Sequence, residues 1–336
     1  MTANISSIAE EIFAFDKDAE LAKIRDSIRS TLGLKLKKRG LVVAVSGGID
    51  SAVCCALAAS AVGSKKTFAL LLPERDSASS STTRGKVLAE HLGVEYSVQD
   101  IAKVLDAVGC YEWRDHAINK IFPEYGTEWK NKLAIGGGVS GGINYFKLIV
   151  EDPSGTRYEE RLGVNEYLTI VAATNYKQRI RKTIEFFHAD RLNYAVVGTP
   201  NRVEYDQGFF VRNGDGSADI KPIAHLYKTQ VYALARHMQL PAEICDAAPT
   251  TDTYSLAQGQ DEFYYHLPHR EMDIALWCFN EGKPAGHLAD LLGLNEMDAT
   301  YIYKDIATKR RTTAPLHWPA LLITPVAGPI TDPESH

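Results

Sequence analysis

The sequence predicts an α/β fold, a doubly wound parallel sheet with helices on both faces. Three observations carry that expectation. β-Favouring runs recur at "LVVAV" (41–45), "KTFALLLP" (66–73), "VEYSVQDI" (94–101) and "NYAVVGTPN" (193–201). The first, second and fourth are continuously apolar at their centres, as strands buried on both faces are. Helical segments separate the first three runs, a rhythm that implies parallel crossovers.

Residues 1–40 read as N-terminal helices, with apolar positions at helical spacing from residue 7 and a basic cluster before Gly40. The strand at 41–45 runs into "SGGIDS" (46–51), and "SAVCCALAASAV" (51–62) continues as an Ala-rich helix. After the second strand, "TTRGKVLAEHLG" (82–93) spells a helix that leads to the third. The rhythm is lost over 111–144, where "GGGVSGGIN" (136–144) reads as irregular. "YFKLIVEDPSGTRYEERL" (145–162) is strand, turn, strand, a hairpin. A helix follows over about 165–190, then the fourth strand, then an amphipathic helix at "LYKTQVYALARHMQL" (226–240). Short helices and polar loops follow, closing in a Pro-rich tail. The expected organisation is a single domain over 41–325 with an insertion at about 111–170 and a tail at 326–336.

The 336 residues are 45% hydrophobic and 24% charged, ample for a large core. A net charge of -5 excludes the global basic field that recruits nucleic acid. The five cysteines include the adjacent pair Cys54 and Cys55 but no CxxC, so buried thiols in a reducing compartment are expected. No apolar run is long enough to span a bilayer, and no basic segment leads into one, so a cytoplasmic protein without membrane contact is expected. The ten histidines show no HxxxH zinc-type spacing.

The stretch "SGGIDS" has two readings. A tight strand-to-helix turn needs glycine, and a Ser or Asp to cap the helix. Alternatively the glycines let backbone N–H groups approach a polyphosphate, and the helix N-terminus adds partial positive charge. It is neither GxGxxG nor GxxxxGK[ST], because Ser51 and Ala52 stand where a P-loop has Lys-Ser or Lys-Thr. Ser46 and Ser51 can donate hydroxyls to phosphate. Asp50 would repel it, and its carboxylate suits Mg²⁺, which takes one or two carboxylates plus phosphate oxygens. Lys177, Arg179 and Arg181 alternate in "NYKQRIRK" (175–182); alone they are a solvated face, but beside a phosphate turn they are the cations a triphosphate needs. Thr199 ends the fourth strand, where parallel sheets place ligands. Asp215 and Asp219 in "NGDGSAD" can be turn formers, and Thr229 a helix cap.

"SGGIDS" resembles the signature of the ATP pyrophosphatase (PP-loop) superfamily, which binds the pyrophosphate split from ATP. Downstream, "NYKQRIRK" resembles the N-x-K-x-R-x-R segment of ammonia-dependent NAD synthetases. "VVGTPNRVEYDQGFFVRNGDGSADIKPIAHLYKTQVYALA" (196–235) resembles that family's block of GT-x-N, Glu, GFF, GDG, D-x-x-P and L-x-K-T-Q. "PTTDT" (249–253), "QDE" (260–262) and "KRR" (309–311) follow in the family's order, so the resemblance covers most of the chain.

The resemblance implies an adenine nucleotide alpha hydrolase-like fold. It implies phosphate contacts from Ser46, Gly47, Gly48, Ile49 and Ser51, with Arg179, Thr199, Arg212 and Thr229 beside them. Glu204 joins Asp50 as a metal ligand. Asp50, Lys177, Arg181, Thr199 and Lys228 carry catalysis, and Asp215, Asp219, Lys309 and Arg310 meet the acyl substrate. Mg²⁺ and ATP are implied, with deamido-NAD as the leading acid, a homodimer, and a two-step reaction. The carboxylate attacks the ATP α-phosphorus and releases pyrophosphate; ammonia then attacks the acyl-adenylate and releases AMP. With 45 residues before the turn, free ammonia or a separate glutaminase is the expected nitrogen source.

Three departures bear on the substrate. The family's GFFTK reads "GFFVR", with Val211 and Arg212 in place of Thr and Lys, and Arg offers a planar fork where Lys offers a point charge. The PTADL loop reads "PTTDT", with aromatics Phe263, Tyr264 and Tyr265 further on. The third is the segment 111–170. These fall where an acid would be recognised, so the alternative is the same chemistry on another carboxylate, such as a sugar acid. Thiolation of a nucleotide or tRNA calls for reactive cysteines and a basic surface, which this sequence lacks. A non-catalytic nucleotide-binding module should lack the metal carboxylates, and Asp50 and Glu204 are both present.

Overall fold

A computed structural model describes residues 5–136, 145–247, 253–259, 264–265 and 267–324. The glycine-rich loop after Gly136, most of "PTTDT", "QDE" with Phe263, and the terminal tail lie outside the described residues.

Two helices, α1 (Ile5–Ile12) and α2 (Lys17–Ser30), lead into β1 (Leu41–Ala44). Then come α3 (Ile49–Val62), β2 (Thr67–Leu71), α4 (Ser79–Leu92), β3 (Glu95–Val98), α5 (Ala102–Ala107) and α6 (Cys110–Asn119). The segment to residue 162 holds β4 (Lys130–Gly136), β5 (Tyr145–Glu151) and β6 (Arg157–Arg161). A long helix, α7 (Val164–Leu192), returns to β7 (Ala195–Val197). The chain continues through α8 (Arg202–Gln207), α9 (Lys228–His237), α10 (Ala242–Cys245), α11 (His269–Asn280), α12 (Ala285–Leu292) and α13 (Glu296–Thr313).

The main sheet is parallel, in the order β3-β2-β1-β7. Strands β1, β2 and β7 are covered on both faces because alternate residues point to different cores, while β3 is the partly exposed edge. Leu41, Val43, Ala69, Leu71, Ala195 and Val197 join α2, α3, α9 and α10 on one face. Val42, Phe68, Leu70 and Val196 join α5, α6 and α7 on the other. The doubly wound sheet expected from the sequence is therefore the fold. A third core packs α1 against α11, α12 and α13, so the N-terminal helices do not stand apart: α1 closes on the C-terminal helices and α2 on α3.

Between α6 and α7 the expectation needs correction. The hairpin is present as antiparallel β5 and β6, but β4 pairs with β5 to make a three-stranded sheet. β4 lies in the stretch expected to be irregular. Its buried polar residues hid it: Asn131 donates to the Tyr125 hydroxyl at 2.8 Å, and its backbone N–H donates to Ser255 Oγ at 2.8 Å. Leu133, Leu148 and Val150 pack with Ile118 and Ile170, tying this sheet to α6 and α7.

Candidate active site

At the carboxyl end of β1 the chain turns through Ser46, Gly47 and Gly48 into α3. Gly47 has φ +80°, and a Cβ there would lie 2.4 Å from the Ser81 carbonyl oxygen. Only glycine meets both conditions. Ser51 Oγ donates to the Gly48 carbonyl at 2.9 Å and lies 3.2 Å from Ser46 Oγ. Gly48 stands at the N-cap and brings no capping side chain, so the first N–H groups of α3 face the cavity uncapped. The turn is therefore tight, as the first reading of "SGGIDS" requires, and the start of α3 carries no side-chain cap.

Asp50, in the first turn of α3, meets residues that lie more than 150 positions further along the chain. Its Oδ1 accepts from Asn201 Nδ2 at 3.3 Å, and its Oδ2 takes a short hydrogen bond from Lys228 Nζ at the start of α9. Asn201 also caps α8, accepting from Val203 N–H at 3.0 Å and Glu204 N–H at 3.1 Å, and Glu204 Oε2 accepts the Asn201 N–H at 3.2 Å. Burial by itself would lower the Lys228 ammonium, but the Asp50 and Glu204 carboxylates outweigh it and hold the group above its ordinary value. Two carboxylates and one ammonium therefore converge beside the phosphate turn. Thr199, at the end of β7, faces the same cavity.

That cavity measures about 650 Å³. Ser46, Gly47, Gly48, Ile49, Asp50 and Ser51 line its floor, and α7 lines one side with Arg179, Arg181, Lys182 and Glu185. Arg181 is braced across the end of β2, donating to the Leu72 carbonyl at 3.1 Å and to Ser77 Oγ at 3.4 Å. Arg179 donates to the Arg212 carbonyl at 3.3 Å, and Arg212 to the Trp318 carbonyl at 3.1 Å, both on the rim. Asp215 lies in the wall, accepting the Val211 N–H at 2.8 Å; burial pushes its carboxyl up. That contact uses the backbone of Val211, so it survives the loss of the family's threonine hydroxyl.

Five of the expected site residues are elsewhere among the described residues. Lys177 is 1% exposed and points away from the cavity, donating to Glu74 Oε1 at 2.9 Å, Asp76 Oδ2 at 2.7 Å and the Thr253 carbonyl at 2.8 Å. Arg114 completes this buried cluster through Asp76 Oδ2 at 2.6 Å. Thr229 turns its hydroxyl to Asp273 Oδ2 at 2.7 Å rather than to the cavity. Asp219 holds the edge of β7, accepting the Val196 N–H at 2.7 Å. Lys309 donates to the Tyr264 carbonyl at 2.6 Å and pairs with Asp305 at 2.5 Å. Arg310 forks onto Asp206 at 2.6 and 2.5 Å, fastening α13 to α8. These are joints of the scaffold, one layer behind the wall.

Three residues were missed from sequence. Arg84 donates from Nε to the Gly47 carbonyl at 2.9 Å, bracing the turn from α4; nothing in "TTRGK" distinguishes it from a surface arginine. Lys182 is buried against Glu185 at 2.7 Å on the cavity wall. Asp273 is fully buried and accepts from the Lys228 and Thr229 N–H groups at 3.3 and 2.7 Å. An aspartate inside the apolar run "MDIALWC" was a readable signal for it.

A glycine turn into an uncapped helix on a doubly wound parallel sheet, with an acidic pair and cations around it, is the arrangement of nucleotide-binding α/β proteins of the PP-loop kind. The NAD synthase family model matches residues 20–122 and 141–312, and the chain belongs to that family. The NH3-dependent NAD+ synthetase of Rhizobium meliloti (strain 1021) is 51% identical over 312 residues, 93% of each chain. That of Rhizobium rhizogenes is 46% identical over 322 residues, 96% of this chain and 97% of its own. The Thermotoga maritima enzyme of the same name is 36% identical over 259 residues, 75% of this chain and 85% of its own. Among solved structures, NMN synthetase from Francisella tularensis superposes with a TM-score of 0.62 at 21% identity, covering 92% of this chain and 99% of that one. The NH3-dependent NAD synthetase of Campylobacter jejuni gives 0.60 at 20%, covering 92% and 100%. These two speak to the fold alone. The family match leaves out 123–140, the part of the inserted segment that contains β4.

Proposed function

We propose that this chain is an ATP-dependent ligase that converts deamido-NAD and ammonia to NAD, releasing AMP and pyrophosphate. The observation that carries the reading is the convergence of Asp50, Lys228 and Glu204 on the uncapped turn in a chain about half identical to NH3-dependent NAD+ synthetases. Pyrophosphate leaves as the substrate carboxylate attacks the α-phosphorus, and the charge it carries falls on the turn's N–H groups, Ser46, Ser51 and Arg181. Lys228, kept protonated by its two carboxylates, adds a fixed cation without supplying a proton. Thr199 and Arg179 hold the nucleotide in line, so position rather than acid–base chemistry dominates. Ammonia then forms the C–N bond to the acyl carbon as the C–O bond to AMP breaks, and the ammonium proton passes to solvent.

Mg²⁺ fits the donors. Asp50 accepts from the Asn201 side chain and Glu204 from the Asn201 N–H, so the two lie close together, and hard oxygen donors plus phosphate oxygens are what this ion takes. Among the described residues no third carboxylate, His or Cys completes a protein-only cage, so the nucleotide itself would supply the other ligands. When bound, the ion neutralises phosphate charge. The reading includes a cytoplasmic homodimer supplied with free ammonia or ammonia from a separate glutaminase. Among the described residues no helix is long and apolar enough to cross a membrane.

Purified protein with ATP, Mg²⁺, ammonium and deamido-NAD should form NAD and AMP in equal amounts, followed by chromatography. Asp50→Asn should lower kcat by about 100-fold or more, the size of effect of removing a preorganised electrostatic group. AMP release with another carboxylate but none with deamido-NAD would assign the chain a different acid.

A further inference from the structure

The cavity continues beyond the phosphate turn along one face of α7. Arg181 is anchored at the end of β2, level with the turn. Tyr167 lies on the same unbroken helix roughly 21 Å earlier, at 1.5 Å per residue. There the wall is aromatic. Phe146, from β5 of the inserted sheet, stacks on Tyr167 with ring centroids 3.9 Å apart and planes inclined by 16°. Both rings are half-buried and line the cavity, as does Tyr254. Asn175 and Gln178 stand between this end and the arginines. The face of α7 thus passes from aromatic to amide to cationic, the order in which a nucleotide presents its ring, its ribose hydroxyls and its phosphate.

We propose that Phe146 and Tyr167 form a stacking seat for the heteroaromatic ring of the acyl substrate that lies farthest from its reacting carboxylate. The inference rests on the reading given under Proposed function, in which that substrate is a dinucleotide. Its carboxylate must lie at the turn, beside the ATP α-phosphorus. One ribose separates the base of ATP from that phosphorus, a link too short for the span; the second nucleotide half of a dinucleotide can cross it. Phe146 comes from β5, just after the stretch 123–140 that the family model omits, and both it and Tyr167 lie within the matched residues.

The test is steady-state kinetics of the full chain with Phe146→Leu, which keeps apolar volume and removes the ring, and Phe146→Tyr, which keeps the ring. Stacking of a base on an aromatic side chain predicts that Phe146→Leu raises KM for deamido-NAD about tenfold. Its kcat and its KM for ATP should stay within about twofold of wild type, and Phe146→Tyr should restore the affinity. A rise in KM for ATP instead assigns the seat to ATP and overturns the proposal. So does a fall in kcat with both KM values unchanged, which is the signature of packing alone. If wild-type protein fails to turn over deamido-NAD, the functional reading fails and this inference with it; an active wild type with an unaffected Phe146→Leu sinks the inference alone.

Discussion

Asp273 accepts three hydrogen bonds from the first turn of α9, through the N–H groups of Lys228 and Thr229 and the Thr229 hydroxyl. It therefore caps a helix from a neighbouring one, and aims Lys228 at Asp50. Burial raises its carboxyl from the ordinary 3.8 to about 7, against the pull of those three donors. The folded state thus holds a proton that the unfolded state has released between these values. Its contribution to stability is fully present below the unfolded value and is lost as pH rises to about 7. Urea unfolding measured across that window should show stability falling with pH, and Asp273→Asn should flatten the fall; parallel curves would exclude the assignment. Gly47 offers a second test. A methyl group there meets the Ser81 carbonyl at 2.4 Å and a φ of +80°. Gly47→Ala should destabilise by about 1–3 kcal/mol and raise KM for ATP. At this scale the turn was legible in six letters, because glycine and serine are needed for local reasons. Arg84 was not, since what it braces is far away in the chain.

At the scale of elements, α7 shows why three basic residues parted company. Lys177 and Arg181 are four apart and lie on one face of α7, with Arg179 on the other side, so the helical period alone does not sort them. Arg179 reaches the cavity rim. Lys177 turns inward to Glu74 and Asp76, which are 0% and 6% exposed as side chains. Partners sort them: Glu74 and Asp76 claim Lys177, while Arg181, one turn further along, braces against the Leu72 carbonyl and lines the cavity. Lys177→Met leaves two buried carboxylates short of a partner and should cost about 3–5 kcal/mol. Chemical denaturation checks the loss. KM for ATP, assayed well below the melting temperature, should stay near wild type, whereas a phosphate ligand would raise it at least tenfold. The inserted sheet was half legible. Its hairpin carries a DPSG turn, but β4 becomes a strand only by pairing Asn131 to Gly136 against β5.

Across the described residues there are four apolar cores, two of them on the faces of the parallel sheet, and all five cysteines are buried in three of the four. Burial pushes the Cys55 thiol up to about 12 and those of Cys110 and Cys278 to about 11. A thiol reagent at pH 8 should therefore find little to react with in the native protein and five equivalents in denaturant, because the thiolate is the nucleophile. Since the cysteines sample three separate cores, equal protection factors would report opening of the molecule as one unit. A single fast thiol in the native state would show that its core opens by itself.

The sequence by itself determined the doubly wound sheet and the tight turn after β1, which depend on local backbone needs, and the resemblance of its motifs to a family marked Asp50, Thr199, Glu204 and Lys228 for one site. Tertiary structure alone decided which cations face the cavity and which fasten the scaffold. It placed Lys177, Asp219, Lys309 and Arg310 behind the wall, and brought Arg84, Lys182 and Phe146 to it. The physical reason is that a side chain's direction and partner are set by packing between distant elements. Lys177, claimed by Glu74 and Asp76, is turned from the cavity, whereas Arg181, braced by a carbonyl and a hydroxyl, still lines it.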